Sequence, residues 1–270
     1  MKRLAHSNIE YAVNPDGSQG YGWNFYPGCL HKPEGKCPVP HCWAESMSKR
    51  HLQDFHKPHL IPELLLAPLH IKKPSTILVN FMGDLMGSWV NPDEMVNVPL
   101  VPGLFQAEGL KYQVMRVIKQ CPQHRFLFLT KNPEGYKRWG DFPGNAWLGA
   151  SVWNEETMIK ALYALTEVKA GGRWLSVEPM LAPVVPKVWP AEWDDIGWVV
   201  IGAQARPAVM PKLEWVEEIV TACEKAKIPI WLKENLYPLF KHPEIETGYA
   251  VPKWARSNHG INVLRQEFPK

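Results

Sequence analysis

Short apolar runs recur along the chain, separated by segments of helical or loop character. Tyr21 to Phe25, Thr76 to Phe81, Arg125 to Leu129, Ala146 to Val152, Arg173 to Val177, Trp198 to Ile201 and Pro229 to Leu232 are each four to eight residues long and rich in β-branched or aromatic side chains. Runs apolar on both faces predict buried parallel strands rather than half-exposed ones. Helical character falls between them, over Glu94 to Gln120 with interruptions at Pro99 and Pro102, Pro133 to Trp139, Glu155 to Val168 and Lys212 to Lys227. Asn154 ahead of Glu155, and Pro211 ahead of a Leu/Trp/Ile/Cys face, mark helix starts. Strand and helix thus alternate from the first third onward. This predicts an α/β fold of right-handed βαβ units closing into a complete or partial parallel (β/α) TIM-type barrel, with a doubly wound open sheet as the alternative. No repeat, low-complexity run or long linker divides the sequence, so a single domain over residues 1–270 is expected, with an extension from about residue 235.

In a parallel barrel, sites are built where the strands end. Almost every run here finishes on a polar residue: Asn24, Asp84 after Asn80-Phe81-Met82-Gly83, Thr130 and Lys131, Ser151, Ser176 and Glu178, Gln204, and Lys233. Loop polarity alone produces such residues one at a time. Their recurrence is what marks this end of the sheet.

Composition narrows the class. A chain of 270 residues with 46% hydrophobic and 21% charged residues is globular, and no apolar stretch approaches the roughly 20 residues that span a bilayer. A cytoplasmic monomer with no membrane partner is expected. The formal net charge of +3 permits a phosphate-bearing partner but lacks the strongly basic stripe of a dedicated nucleic-acid binder. Thirteen tryptophans are available for stacking on bases, and core filling is their commoner use.

Chemistry concentrates near the N-terminus. Cys29, Cys37 and Cys42 form a C-x7-C-x4-C group, and only Cys121 and Cys223 occur elsewhere. The odd cysteine count and the absence of a signal peptide argue against disulfides. Three thiolates hold three irons of a 4Fe-4S cluster and leave one corner open, or they hold three positions of a tetrahedral zinc. His31 or His41 would complete a closed Cys3His zinc site, so the spacing leaves both readings standing. Cys121 and Cys223, each within a helical segment, read as small buried hydrophobes. His51, His56, His59 and His70 are scattered over an irregular segment that reads as a solvated loop rather than a second metal site.

Eight blocks in order carry a resemblance: Trp23-Asn24-Phe-Tyr-Pro27-Gly28-Cys29, Cys42-Trp43-Ala44-Glu45, Phe81-Met-Gly-Asp84-Leu85, Leu129-Thr130-Lys131-Asn-Pro133, Trp147-Leu-Gly149-Ala-Ser151-Val152, Leu175-Ser176-Val-Glu178-Pro179-Met180, Trp198-Val-Val-Ile-Gly202-Ala and Ile230-Trp-Leu-Lys233-Glu234. From about Tyr21 to Glu234 the chain resembles the radical S-adenosylmethionine superfamily, and within it a phage and bacterial branch distantly similar to spore photoproduct lyase. Both cysteine gaps are longer than that branch's usual spacing, and its Gly-Gly-Glu at the sixth strand stands here as Gly202-Ala203-Gln204.

The resemblance implies a cluster-binding loop over residues 28–45, in which Cys29, Cys37 and Cys42 bind three irons and S-adenosylmethionine chelates the fourth. Trp43 is the aromatic that branch members place after the last cysteine. Met82, Gly83 and Asp84 would hold the cofactor's amino group, Ser151 and Glu178 its carboxylate and ribose, and backbone at Gly202 and Ala203 its adenine. Lys131, Glu178 and Lys233 are the catalytic candidates, the lysines neutralising a carboxylate or phosphate. An external one-electron reductant is then needed, and the cofactor's 5′-deoxyadenosyl radical would take a hydrogen atom from a small molecule or a nucleotide base, such as a modified pyrimidine in phage DNA. The rival class is a zinc-stabilised nucleic-acid-binding barrel without radical chemistry, in which Trp43, Trp89 and Trp153 stack on bases.

Overall fold

The computed structural model describes residues 3–50, 54–101, 104–241, 255–258 and 261–269. In chain order its strands and α-helices are β1 (Ala5–His6), β2 (Tyr21–Trp23), α1 (Trp43–Arg50), β3 (Thr76–Val79), β4 (Met95–Val101), β5 (Leu104–Gly109), α2 (Leu110–Gln120), β6 (Arg125–Thr130), β7 (Ala146–Ser151), α3 (Glu155–Thr166), β8 (Gly172–Val177), β9 (Trp198–Ile201), β10 (Gln204–Ala205), β11 (Ala208–Val209), α4 (Leu213–Ala226), β12 (Ile230–Leu232), β13 (Ala255–Asn258) and β14 (Ile261–Leu264). Eight strands form one sheet in the order β1-β2-β3-β6-β7-β8-β9-β12. The pairs β2/β3, β3/β6, β8/β9 and β9/β12 are parallel, and β1 joins antiparallel at an edge. All seven predicted strands are present, and the α/β class with a mostly parallel sheet is as expected. The sheet order starts at β1 and ends at β12.

One expectation is corrected. Only the second half of Glu94 to Gln120 is helical, as α2, while Met95–Val101 and Leu104–Gly109 pair as a hairpin. Apolar residues at 96, 98 and 100 alternate with the period of a strand, and Pro99 and Pro102 lack the amide donors a helix needs. The segment at Pro133–Arg138 is a 3-10 helix, and α1 was not signalled by the sequence. Asn154 caps α3 as predicted: its Oδ1 accepts the Thr157 N–H at 2.9 Å, and Thr157 Oγ1 accepts the Asn154 N–H at 3.1 Å. His51 and residues 242–254 of the expected C-terminal extension lie outside the described residues.

The chain divides into two compact units, Met1–Gly149 with Glu167–Gly172, and Ala150–Thr166 with Arg173–Lys270. In the first, Trp23 is fully buried, packs on Phe25 and Phe126, and donates from Nε1 to the Leu64 carbonyl at 2.8 Å. Asn145 Nδ2 collects the carbonyls of Ile118, Cys121 and His124, satisfying the end of α2 ahead of β6. In the second, Met158, Ala161, Leu162 and Leu165 of α3 and Val216, Ile219, Val220 and Cys223 of α4 form buried stripes at helical spacing. Cys121 and Cys223 are both buried, as core cysteines should be.

Replacing Trp23 by Ala removes a fully buried ring and orphans the Leu64 carbonyl. The expected cost is about 3–5 kcal/mol of unfolding free energy, read from urea denaturation.

Candidate functional site

The polar strand ends of the first unit meet the cysteine loop through backbone. Past β2 and β3 the chain locks to itself with two asparagines: Asn80 Oδ1 accepts the Tyr26 N–H at 2.8 Å, and Asn24 Oδ1 accepts the Met82 N–H at 3.0 Å. Asn80 takes the left-handed conformation, φ 56°, that asparagine tolerates better than most residues. Gly28 and Gly83 then form a parallel bridge, with the Gly28 N–H donating to the Met82 carbonyl at 3.0 Å. A Cβ on Gly83 would lie 2.6 Å from the Gly28 oxygen, so glycine is required there by contact. The Cys29 N–H donates to the Phe55 carbonyl at 2.9 Å, and His56 Nδ1 donates to the Cys29 carbonyl at 3.2 Å.

From Cys29 the loop turns around His31. This histidine is buried, and its Nε2 donates to Asp84 Oδ2 at 2.7 Å. Trp89 stands edge-on to the ring, with centroids 4.9 Å apart. Asp84, also buried, accepts from Thr130 Oγ1 at 2.7 and 2.9 Å, from the Lys131 N–H at 2.9 Å and, at Oδ1, from the Met86 N–H at 3.0 Å. Burial alone would push the Asp84 carboxyl up, but the bond and charge of His31, joined by Thr130 and Lys131, outweigh it and hold the group below the ordinary carboxylate range. Both carboxylate oxygens are therefore committed within the protein.

The far side of the loop is tied by Glu45, a buried carboxylate on α1. It accepts from Lys49 Nζ at 2.8 Å and Lys32 Nζ at 3.2 Å, and His56 Nε2 lies 3.6 Å away. Lys32 also donates to the Pro40 carbonyl at 2.9 Å, drawing the segment between Cys37 and Cys42 inward. The hydrogen bond from Lys49 first, then that from Lys32, hold the Glu45 carboxyl down at about 2 against the opposing effect of burial.

The three cysteines are free and partly buried. Cys29 lies close enough to Asp84, Lys131 and Cys37 to feel their charge. Burial pushes the Cys29 thiol up to about 12, so it needs a cation to displace its proton. The donors suit an iron–sulfur cluster in kind: three free, partly buried thiols on one loop. Among the described residues, however, no three His, Cys, Asp or Glu side chains stand gathered as a metal-binding group. His41 is exposed and His31 is engaged by Asp84. Trp43, on the first turn of α1, is half exposed. Of the scattered histidines, His56 is part of the loop's scaffold, and the His59 ring bonds the nearby Lys57 carbonyl while its N–H donates to the Pro27 carbonyl at 3.2 Å.

The second unit holds a polar group of its own. Lys233 Nζ donates to Glu178 Oε1 at 2.6 Å, and Asn235 Nδ2 lies 3.5 Å from the same oxygen. Asn235 also donates to the Ala203 carbonyl at 2.8 Å and accepts the Ala203 N–H at 3.1 Å. A Cβ on Gly202 would sit 3.0 Å from Lys233 Cδ and 3.1 Å from the Glu178 carboxyl carbon. Glu178, Gly202, Ala203 and Lys233 are thus brought together, and Ser151 is buried in the same unit. Sequence reasoning missed Asn235, Glu45, His56 and the pairing of His31 with Asp84. No spacing signal joins residues 53 positions apart.

Two outcomes follow. Gly83→Ala should cost about 1–3 kcal/mol of stability in urea denaturation, because the new methyl must push the cysteine loop off the strand end. Glu45 is depressed from 4.5 to about 2, so its contribution is complete above the ordinary carboxylate range and disappears as pH falls from about 4.5 to 2. The melting temperature of Glu45→Gln should therefore trail the wild type at pH 7 and converge with it near pH 2.

Neither a curated protein nor a solved structure matches the chain. The model of a family described as a protein of unknown function, DUF5131, matches residues 7–237, from ahead of β2 through the residues that follow β12, and the chain belongs to that family.

Proposed function

We propose that the protein is a radical S-adenosylmethionine enzyme. The loop over residues 28–45 would hold a 4Fe-4S cluster through Cys29, Cys37 and Cys42, and the parallel sheet is read as a complete or partial TIM-type barrel. Held there by the three thiolates, a cluster would supply the single electron needed for reductive cleavage of S-adenosylmethionine and so for hydrogen-atom abstraction from an organic substrate. The candidate substrate class is a nucleotide base, a modified pyrimidine in DNA, with an external one-electron donor. One observation supports this reading above the rest: three free thiols share a loop that leaves the end of a parallel strand and is pinned by backbone to the segment past the next strand.

The chain's own residues have defined tasks on this reading. The partly buried setting of Cys29 keeps water from its sulfur and disfavours a bare thiolate, so the ligand is stable only with its metal. The Lys131 ammonium eases loss of the Cys29 proton. Gly83 and the Met82 carbonyl are spent on the loop's own attachment. Asp84 would meet an incoming amino group only by giving up a present donor, of which His31 is the one carried by the loop. In the second unit, the roles of Ser151, Gly202 and Ala203 rest on the resemblance. The Glu178–Lys233 pair offers an acceptor and a cation to a ribose, carboxylate or phosphate group.

Anaerobic reconstitution with iron and sulfide should give a brown protein with about four irons per chain that cleaves S-adenosylmethionine under dithionite. Cys37→Ala should lose both colour and cleavage. A colourless protein carrying about one zinc and inert toward the cofactor would overturn the reading in favour of a zinc-stabilised binding fold.

A further inference from the structure

We infer that His31 is the positioning residue of the cysteine loop, latched to the sheet through Asp84. Both the backbone and the ring of this one residue act on the loop or its anchor. Its carbonyl accepts the Lys36 N–H at 2.7 Å, closing the turn that returns the chain to Cys37. Its ring reaches out of the loop to Asp84 at 2.7 Å. The other ring nitrogen, Nδ1, is buried with no partner, so the bond to Asp84 is the ring's whole polar satisfaction and breaking it would strand both nitrogens.

Asp84 is suited to this because it is held by four further bonds: Thr130 Oγ1 and the Lys131 N–H tie it to the end of β6, the Met86 N–H meets it locally, and Thr130 Oγ1 in turn accepts the Asn132 N–H at 2.8 Å. Cys29 has separate backbone ties to Phe55, His56 and, one residue earlier, Met82. Among the described residues, His31 gives the stretch from Leu30 to Cys37 its side-chain tie to the strand ends, while Lys32 is held instead to Glu45 and the Pro40 carbonyl. Release of His31 therefore loosens this stretch from the strand ends, while the loop's entry at Gly28 stays in place.

The part of this inference that concerns a cluster rests on the function proposed above; the latch itself does not. Hydrogen–deuterium exchange of the metal-free full chain tests the latch directly. His31→Ala and Asp84→Asn should speed exchange of the amides between 30 and 37 by roughly tenfold or more, with α2, α3 and α4 unchanged, because a loop segment without its anchor opens locally. His31→Gln, which restores an N–H donor near the Nε2 position, should recover most of the protection. The reconstituted proteins give a second readout: His31→Ala should retain at most about half the wild-type iron, since the stretch that leads to Cys37 has lost its tie to the strand ends. Unchanged exchange between 30 and 37 in His31→Ala would overturn the latch, even in a protein that binds iron normally. Faster exchange with rescue by glutamine, in a wild type that takes up no iron, would uphold the latch and sink the radical enzyme instead. Thr130→Val gives a control against general unfolding: it removes a donor to Asp84 yet keeps the His31 bond, and exchange between 30 and 37 should change less than in Asp84→Asn.

Discussion

A carboxylate taken out of water keeps its charge only where donors replace the lost solvent, and the first unit is arranged around that requirement at Asp84. A hydroxyl and a backbone N–H from the end of β6 and the backbone N–H of Met86 meet it, and an imidazole comes from the cysteine loop. Removing any partner leaves a buried charge underserved, so the strand ends and the loop are held in one mutual geometry. A neutral or apolar residue at 84 would pack there without specifying where the loop sits. The charge makes the position specific, and the glycine contact between residues 28 and 83 brings the two segments near enough for it to act.

Much of this was legible in the amino-acid order and some was not. Parallel strands announce themselves because both faces are buried, so Thr76 to Phe81 and Trp198 to Ile201 read as apolar runs with no competing pattern. The stretch from Glu94 misled because apolar residues at spacings of two and of three to four overlap over a few positions, and its two prolines break a helix and border a hairpin equally well. The cysteine loop was legible as chemistry and opaque as geometry. Nothing local to Cys29, Cys37 and Cys42 indicates that the histidine among them faces an aspartate beyond the next strand. Asp84 was recognisable as a functional position from its place after a strand, yet its bonds, all but one to residues 46 or more positions away, are set by strand order alone.

The second unit makes the same point with weaker forces. The ion pair of Lys233 and Glu178 is partly exposed, so its attraction is modest, and its definition comes from Asn235 and from the missing side chain at residue 202. Past β9, Gln204 turns its side chain to the Pro207 carbonyl at 2.9 Å, within the β10–β11 hairpin, an internal brace.

The outer edge of β12 carries a consequence for the molecule's life in a crowded solution. Open backbone along a flanking strand invites a neighbouring molecule to extend the sheet. Here residues 265–267 lie along β12, with the Leu232 N–H donating to the Arg265 carbonyl and the Glu267 N–H to the Ile230 carbonyl, both at 2.8 Å, while Phe268 packs against Trp231. This short tract shields the sheet from intermolecular strand addition, and a protease that clipped it would turn a discreet border into an adhesive one.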